Sequence, residues 1–443
     1  MQVTLLGHAS LVVESDGTTV YMDPVFSDPF QGDLVVSCPR REVFPDALPR
    51  PDALVISHSH LDHFHAPTLS RLPRDIPVYV PRDSELVRAL TRLGFQDVHA
   101  LAAGDLVQLR GLSLTSTGSA GPGPEMGVLF TSPGASVWNQ VDTVVTQRTC
   151  VEVLEQLDGN LDVAFCAYRP LLEYAGMWTD EVSFPRDRYE RLLEMAVCCR
   201  ARTVIPGSCG LRAADRLDWV NHRLFPASRD QFCQDLAVLA PDVKTLQVNP
   251  GEALVVSDGG VRRHATPYAR TVDMDEYRTE FDPERHAPPA LHDPNIHAHP
   301  EGAMDDAVER VMAETVPAAL AQLLDWRLKG PLRRLWDRRA IFQVDIVFPS
   351  GTRSWHVAAW NPLRFPAGAH GAPDYTWSYR ASEIYGLLRG EPVEPTVMAR
   401  RRRDGAAYHG RLGVLDPARL HGVDLNLVVD ETFDWNPLGA LVE

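Results

Sequence analysis

His58-Ser59-His60-Leu61-Asp62-His63 places three histidines and one aspartate within six residues. Neutral imidazole and carboxylate are the ligand types for divalent zinc or iron. The run follows Ala53 to Ser57 (Ala-Leu-Val-Ile-Ser), a short continuous apolar stretch of the kind that forms a buried strand. A tight loop at a strand end turns alternate side chains toward one point. Asp62 and His63, shifted in phase, reach a second point nearby. The spacing therefore accommodates one or two metal ions. A lone His-x-His is common and usually structural, whereas four potential ligands straight after a buried strand are rare by chance.

The elements around this loop must position it. The first 265 or so residues alternate strand-like and helix-like stretches. Gln2 to Glu14 and Thr18 to Met22 read as strands joined by Ser15-Asp16-Gly17, a strong hairpin signal. Pro67 marks the first turn of a helix, and Asp83 and Gly94 bracket another over Ser84 to Leu93. Val107 to Thr115, Val128 to Thr131, Ser136 to Trp138 and Thr203 to Ile205 read as strands. Cys150 to Gln156 reads as a helix with Thr149 as N-cap and Glu152 completing a capping box. Pro185 to Cys198 is a further helix, and a hairpin around Asp258-Gly259 closes the region. This pattern indicates a layered α/β domain over 1–268 whose sheet is not purely parallel. Residues 269–302, rich in proline and histidine, read as a linker or covering segment. Residues 303–443 read as a separate α+β unit, with a helix over Ala303 to Leu328, antiparallel strands over Ile341 to Val347, Ser354 to Ala359 and Asp374 to Ser378, and a short helix over Ser382 to Leu388.

Composition narrows the function. The chain has 443 residues, 44% hydrophobic and 23% charged, so a sizeable core is expected. A net charge of −16 disfavours a nucleic-acid or acidic-membrane binder. The short basic run Arg400 to Arg403 reads as a solvated strand or turn edge. No apolar stretch approaches the ~18 residues that cross a bilayer, and the N-terminal residues lack a secretory pattern. Seven scattered cysteines form no framework, which fits a reduced, cytoplasmic compartment. Lysine occurs only at Lys244 and Lys329, a bias expected of a GC-rich bacterial genome. No Cys-x-His or Cys-x-x-His occurs, so the usual ligation of a Rieske cluster is excluded.

His-x-His-x-Asp-His is the signature of the metallo-β-lactamase superfamily, and the chain resembles it in order. Gly7-His8-Ala9-Ser10 resembles the Gly-His opening of its lactonase and phospholipase-D-like branch. Tyr21-Met22-Asp23-Pro24 matches the early Asp-Pro. Trp138-Asn139-Gln140-Val141-Asp142 falls where the superfamily places a metal-bridging aspartate. The resemblance implies an αββα sandwich with the metal site at one sheet edge, ligands His58, His60, Asp62, His63 and Asp142, and supporting roles for His8 and Asp23 behind them. Two departures stand out. The superfamily's usual histidine before the Asp142 strand is missing from residues 116–127, and its histidine after a strand like Val204-Ile205-Pro206 is replaced by Gly207-Ser208-Cys209-Gly210. Glu125, Cys209 and His222 are the residues available to stand in. Arg169, after a strand on the same edge, is a candidate for an anionic substrate group.

A narrower resemblance is to the part of the CMP-N-acetylneuraminate hydroxylase family that follows its Rieske domain. It is carried by His58 to Leu69, Asp75-Ile76-Pro77-Val78-Tyr79-Val80, Pro124-Glu125-Met126, Val141-Asp142-Thr143 and Tyr375 to Leu388. Ser382 to Gly390 also resembles the helix end of sterol-carrier-protein-like domains, with a dimerisation or lid domain as the plainer reading and a homodimer as its corollary. The resemblances imply two activities. One is a non-haem iron oxygenase, with one or two irons, a small-molecule substrate and electrons from a separate protein. The other is a zinc-dependent hydrolase of an ester, lactone, amide or phosphodiester, with Asp62 orienting water as general base. A non-catalytic scaffold is the third reading, disfavoured by the intact motif.

Overall fold

The early chain turns back on itself twice within 22 residues. Asp16 (φ 47°) and Gly17 (φ 75°) occupy both left-handed positions of a two-residue turn, with Ser15 opposite Thr18. The stretch expected as one strand over Gln2 to Glu14 is two strands, Gln2–Gly7 and Ser10–Ser15, with Gly7 opposite Ser10 and His8-Ala9 as a second tight turn. Gly7 (φ 126°) is required there, because a Cβ would lie 2.5 Å from Arg41 Cδ. Gly-His is not a usual turn dipeptide, which hides this turn from sequence patterning.

The computed structural model describes the chain apart from residues 31–34, 122, 158–160, 171–182, 215–217, 259, 274–280, 284–291, 316–340, 359–365, 372, 374, 392–395, 404–406 and 415–443. The chain divides into two compact units. One is Met1–Leu171 with Phe184–Phe281, and the other is Leu172–Ser183 with Asp282–Glu443.

The first unit is built on two sheets. One has eight strands in the order Gly260–Ala265, Glu252–Ser257, Gln2–Gly7, Ser10–Ser15, Thr18–Met22, Ala53–Val55, Val78–Pro81 and Val98–Leu101. Its first five strands are antiparallel, and the last four pair in parallel. The other has seven, in the order Lys244–Thr245, Ala201–Gly207, Leu161–Ala167, Ala135–Asn139, Met126–Ser132, Leu112–Gly118 and Leu106–Leu109. The inner faces meet in one apolar core that includes Val3, Leu11, Val13, Val20, Met22 and Val55 from the first sheet and Leu114, Val128, Phe130, Val137, Val163 and Phe165 from the second. Each such side chain, fully buried, contributes roughly 1.5–3 kcal/mol of transfer free energy. The outer face of the second sheet presents Leu129, Trp138, Ala164 and Val204 to helices Gln147–Gln156, Arg186–Cys198 and Arg229–Leu239. Helix Ser84–Arg92, capped by Asp83 Oδ1 on the amides of Glu85 and Leu86 (2.9 and 3.3 Å), connects the parallel strands Val78–Pro81 and Val98–Leu101. The layering is the mixed α/β sandwich expected.

Some boundaries differ from expectation. The helix expected from Cys150 begins at Gln147, because Thr146 rather than Thr149 offers its hydroxyl to an amide, that of Thr149, at 3.2 Å. Val107 to Thr115 is two strands with Gly111 (φ 68°) in the turn. Ala269–Asp273 is a strand paired with Arg40–Val43, so this part of the expected linker belongs to the first unit. Gly251 allows that seating, since a Cβ there would lie 2.0 Å from the Ala269 carbonyl oxygen.

In the second unit five strands lie in the order Gly351–Ala358, Ile341–Phe348, Tyr375–Arg380, Thr396–Arg403 and Ala407–Val414. Ile341–Phe348 and Tyr375–Arg380 are parallel, not antiparallel as expected. The basic run Arg400 to Arg403 lies on a strand with neighbours on both sides. Helix Ala381–Leu388 takes its N-terminal partner from a distant segment: fully buried Asp293 accepts from the Ser382 amide at 2.8 Å and from its hydroxyl. That contact assigns the end of the expected linker to this unit. Helix Glu301–Arg310 continues into a wider turn over Val311–Thr315, and the rest of the helix expected to Leu328 lies outside the described residues, as do His286 and the expected strand ends Ala359 and Asp374.

Candidate metal centre

The strand Ala53–Val55 delivers Ile56 and Ser57 into the core before the chain turns. His60 O accepts from the amides of His63 (2.9 Å) and Phe64 (2.7 Å), and buried Phe64 anchors the turn from below. His65 closes it as the N-cap of helix Ala66–Leu69. Its Nδ1 accepts from the Thr68 amide at 3.3 Å, and burial beside Arg41 pushes its imidazole down to about 4, so it is neutral. His65 is therefore a structural cap.

Two ligand groups result, each with its donor atoms within 4.8 Å of one another. His58, His60 and Asp142 form one, and His8, Asp62, His63 and Asp142 form the other, so Asp142 belongs to both. In the first group His58 Nε2 lies 2.9 Å from His60 Nδ1. In the second, His8 Nε2 lies 3.1 Å from Asp62 Oδ2 and 3.2 Å from His63 Nε2, and His63 Nε2 lies 3.2 Å from Asp142 Oδ2 and 3.6 Å from Asp62 Oδ2.

Behind the ligands lies a hydrogen-bonded support. Fully buried Asp23 accepts from the Ser57 amide through Oδ1 (2.7 Å) and from the Ser57 hydroxyl through Oδ2 (2.6 Å). The same Oδ2 lies 2.9 Å from His63 Nδ1. Because Ser57 Oγ donates to Asp23, it accepts from His58 Nδ1 at 2.9 Å. Asp23 thus sets the tautomer of His63 directly and of His58 through Ser57, leaving each Nε2 free to bind metal.

The fit to a divalent metal rests on these donors. Asp142 Oδ1 is buried and has no hydrogen-bond partner, which is costly unless a cation faces it. Burial alone would raise Asp62, but the facing His63 and His8 hold its carboxyl well below the usual range. Burial would lower His63, but Asp62, Asp142 and Asp23 hold it well above an ordinary imidazole. Burial and the neighbouring His63 and His60 push His58 down. A cluster that draws a proton onto His63 to balance its carboxylates suits a cation in that place.

Backbone strain concentrates here. Among described non-glycine residues with positive φ, His8 (49°), Asp23 (46°), Val141 (55°), Ser208 (36°) and Cys209 (49°) all border the centre. At β-branched Val141 this conformation is costly. It is held by Asn139 Oδ1 accepting from the Val141 amide (3.2 Å) and by Ser208 Oγ donating to Val141 O (2.9 Å). The outcome is the projection of Asp142 from the second sheet toward ligands carried by the first.

The remaining candidates separate. Glu125 lies outside both ligand groups but close enough that Asp142 and His60 act on it. Burial and then Asp142 raise its carboxyl against the hydrogen bond from Ser119. Cys209 is buried beside the centre, and burial followed by Asp142 keeps its thiol protonated. Arg169 is buried and donates to the carbonyls of Ala227 (2.9 Å), Leu211 (3.1 Å) and Cys209 (3.3 Å), so it braces the loop of Cys209. His222 lies on helix Asp218–Leu224 and joins neither group. The role of Ser57 was missed in the sequence, although it directly precedes the motif.

Residues 2–127 match the family model described as Beta-lactamase superfamily domain, and the first unit has the metallo-β-lactamase fold. Among relatives, a UPF0173 metal-dependent hydrolase of Nitratidesulfovibrio vulgaris is 27% identical over 271 residues, 58% of this chain and 95% of that protein. A Streptomyces venezuelae 3-hydroxylase of a 4-amino-L-phenylalanyl group on the CmlP peptidyl carrier protein is 35% identical over 123 residues, 26% of this chain and 21% of that protein. The crystal structure of CmlA, a diiron β-hydroxylase from Streptomyces venezuelae, aligns with a TM-score of 0.41 at 17% identity, covering 60% of this chain and 54% of that one. The relatives thus include metal-dependent hydrolases and hydroxylases. The narrower resemblance to CMP-N-acetylneuraminate hydroxylases is carried by the sequence motifs alone. Among the described residues no helix is long and apolar enough to cross a membrane.

Proposed function

We propose that this chain is a metalloenzyme with a dinuclear centre, acting as a non-haem iron oxygenase that hydroxylates a small metabolite with electrons from a separate protein. The observation that carries the reading is the donor set His58, His60 and Asp142. Two histidines and a shared carboxylate are donors that suit iron and leave coordination positions open to O₂ and substrate. The partial likeness to a 3-hydroxylase supports the same class. His8, Asp62, His63 and Asp142 surround the second position, with Asp142 common to both.

Iron held there supplies O₂ activation. The chain's own part is to hold and orient. Asp23 and Ser57 fix the tautomers of His58 and His63. Glu125, its carboxyl raised by burial, lies at the edge of the His58–His60 position and is the carboxylate available to complete it. Ser208, donating to Val141 O, holds the Asp142 loop beside the end of strand Ala201–Gly207. The C-terminal unit, with the helix end resembling sterol-carrier-like domains, serves dimerisation in this reading.

A second reading is favoured by the hydrolase relative that the chain covers over 95% of its length. In it, the same donors, His58, His60, His63 and Asp142, would hold zinc, whose Lewis acidity would make bound water more acidic, and Asp62 would orient that water as general base. Elemental mass spectrometry on protein purified anaerobically, without a metal-affinity column, separates the two. Iron at one or two per chain with O₂ uptake on adding an electron donor upholds the oxygenase. Zinc at that stoichiometry, with ester, lactone or phosphodiester turnover, replaces it with the hydrolase.

A further inference from the structure

We infer that His8 is itself a metal ligand, supplying to the second position an imidazole that the loop after strand Ala201–Gly207 does not carry. This deepens the metal-centre reading and rests on it. The sequence cast His8 as a supporting residue behind the ligands. The structure instead puts it at the tip of the turn between Gln2–Gly7 and Ser10–Ser15, its side chain only 1% exposed.

The geometry distinguishes a ligand from a support. A residue that merely oriented Asp62 would face that carboxylate alone. His8 Nε2 faces Asp62 Oδ2 at 3.1 Å and His63 Nε2 at 3.2 Å together. His63 is already satisfied at its other nitrogen by Asp23, so Nε2 is the atom it would turn to a bound cation at the same point. Four ligands around tetrahedral zinc, with bonds of ~2.0–2.1 Å, lie about 3.3 Å from one another. The donor–donor edges measured here are 3.1, 3.2, 3.2 and 3.6 Å. The three shorter edges are also hydrogen-bond distances in the metal-free cluster, and what favours an ion is that all four donor atoms converge within 4.8 Å of one another.

The chain pays for this placement in backbone conformation, with His8 at φ 49°. The loop where a histidine is absent is also packed against the turn. A Cβ on Gly210 would lie 3.2 Å from His8 Cα, tighter than an ordinary contact, so glycine eases the close approach of the two backbones. Cys209, in the same loop, is buried nearby but its sulfur is not in the ligand group. The position is thus filled from the first turn of the chain, while the later loop contributes backbone that fits around it.

The test uses the full chain, stripped of metal and loaded with zinc alone, with bound zinc counted by elemental mass spectrometry after gel filtration. His8→Gly removes the imidazole and suits the positive φ, so the backbone is not strained. His8→Asn also tolerates that conformation and can still hydrogen-bond to Asp62, but it is a poor zinc ligand. Circular dichroism checks that both variants fold. We expect two zinc ions in the wild type and half that stoichiometry in both variants, with added imidazole restoring the second ion in His8→Gly. Wild-type stoichiometry in His8→Gly without imidazole, or full recovery in His8→Asn, overturns the ligand assignment and leaves the metal-centre reading standing. No zinc in the wild type overturns both.

Discussion

Asp23→Asn is the sharpest test of how the centre is supported. The substitution is nearly isosteric, and asparagine tolerates the φ of 46° at this position, so the backbone is held constant. What changes is the acceptor. Oδ2 serves both the Ser57 hydroxyl (2.6 Å) and His63 Nδ1 (2.9 Å), while Oδ1 serves the Ser57 amide (2.7 Å). If the amide oxygen stays on Ser57 N, the NH₂ group faces His63 Nδ1 and drives the proton to Nε2, the atom that would bind metal. If the amide flips, its NH₂ opposes the Ser57 amide and a buried donor is lost, at a cost of ~1–3 kcal/mol. Either arrangement weakens ligation by a supported histidine, for which 10–100-fold in affinity, about 1.4–2.7 kcal/mol, is the usual scale. Competition against a chromophoric zinc chelator reads this directly. The loss should fall mainly on the His63 position, and Ser57→Ala should give a smaller loss confined to the His58 position. Asp23→Asn affinities within about threefold of wild type at both positions, in a folded variant, would refute the tautomer argument.

Further expectations follow from the same geometry. His60→Ala should remove one metal per chain by elemental analysis, and unchanged stoichiometry would displace His60 from the centre. Glu125→Gln should weaken metal at the His58–His60 position by about tenfold if its carboxylate completes that position, whereas unchanged affinity retires it. Arg41 is buried, held down to about 10 by burial yet still a cation at neutral pH, and donates to Leu6 O (2.7 Å) and Val25 O (2.8 Å) beside Asp28. Arg41→Ala should cost roughly 3–5 kcal/mol in urea unfolding, since it strands buried polar groups. In the metal-free protein, His63 is raised above its unfolded pKa. The stability it contributes is therefore full below about 6.5 and lost as pH rises through the folded value. Urea melts of metal-free protein should weaken on the alkaline side of 6.5, and metal should abolish that slope; an upward slope there would contradict the charge assignment.

Much of this was legible in the sequence because local rules dominate where one segment does the work. The ligand loop follows a buried strand, Asp16-Gly17 makes its turn, and Asp83 caps its helix. What escaped was set by tertiary contacts. The turn at His8 is enforced by Arg41 packed under Gly7 and by Gly210 against its backbone, neither near it in sequence. Ser57 gains meaning only once Asp23 folds under it. Thr149 and Thr146 are equally good caps on paper, and only the folded chain shows that it is the Thr146 hydroxyl that meets an amide. Arg169 reads in the sequence as a candidate for an anionic substrate group, but its guanidinium donates to carbonyls of three residues distant in the chain.

The sharing of Asp142 has a consequence for the whole first unit. His63 and Asp142 are 79 residues apart in the chain and come from opposite sheets of the sandwich. An ion bonded to both acts as a cross-link that closes a loop of that length. In chain-entropy terms, a permanent link of about 80 residues removes roughly 4.5 kcal/mol of freedom from the unfolded ensemble. An ion delivers this only as far as it stays bound when the sheets part. The supply of metal is thus also a clamp on the sandwich, and a cell short of that metal would hold this protein with its two layers less firmly joined.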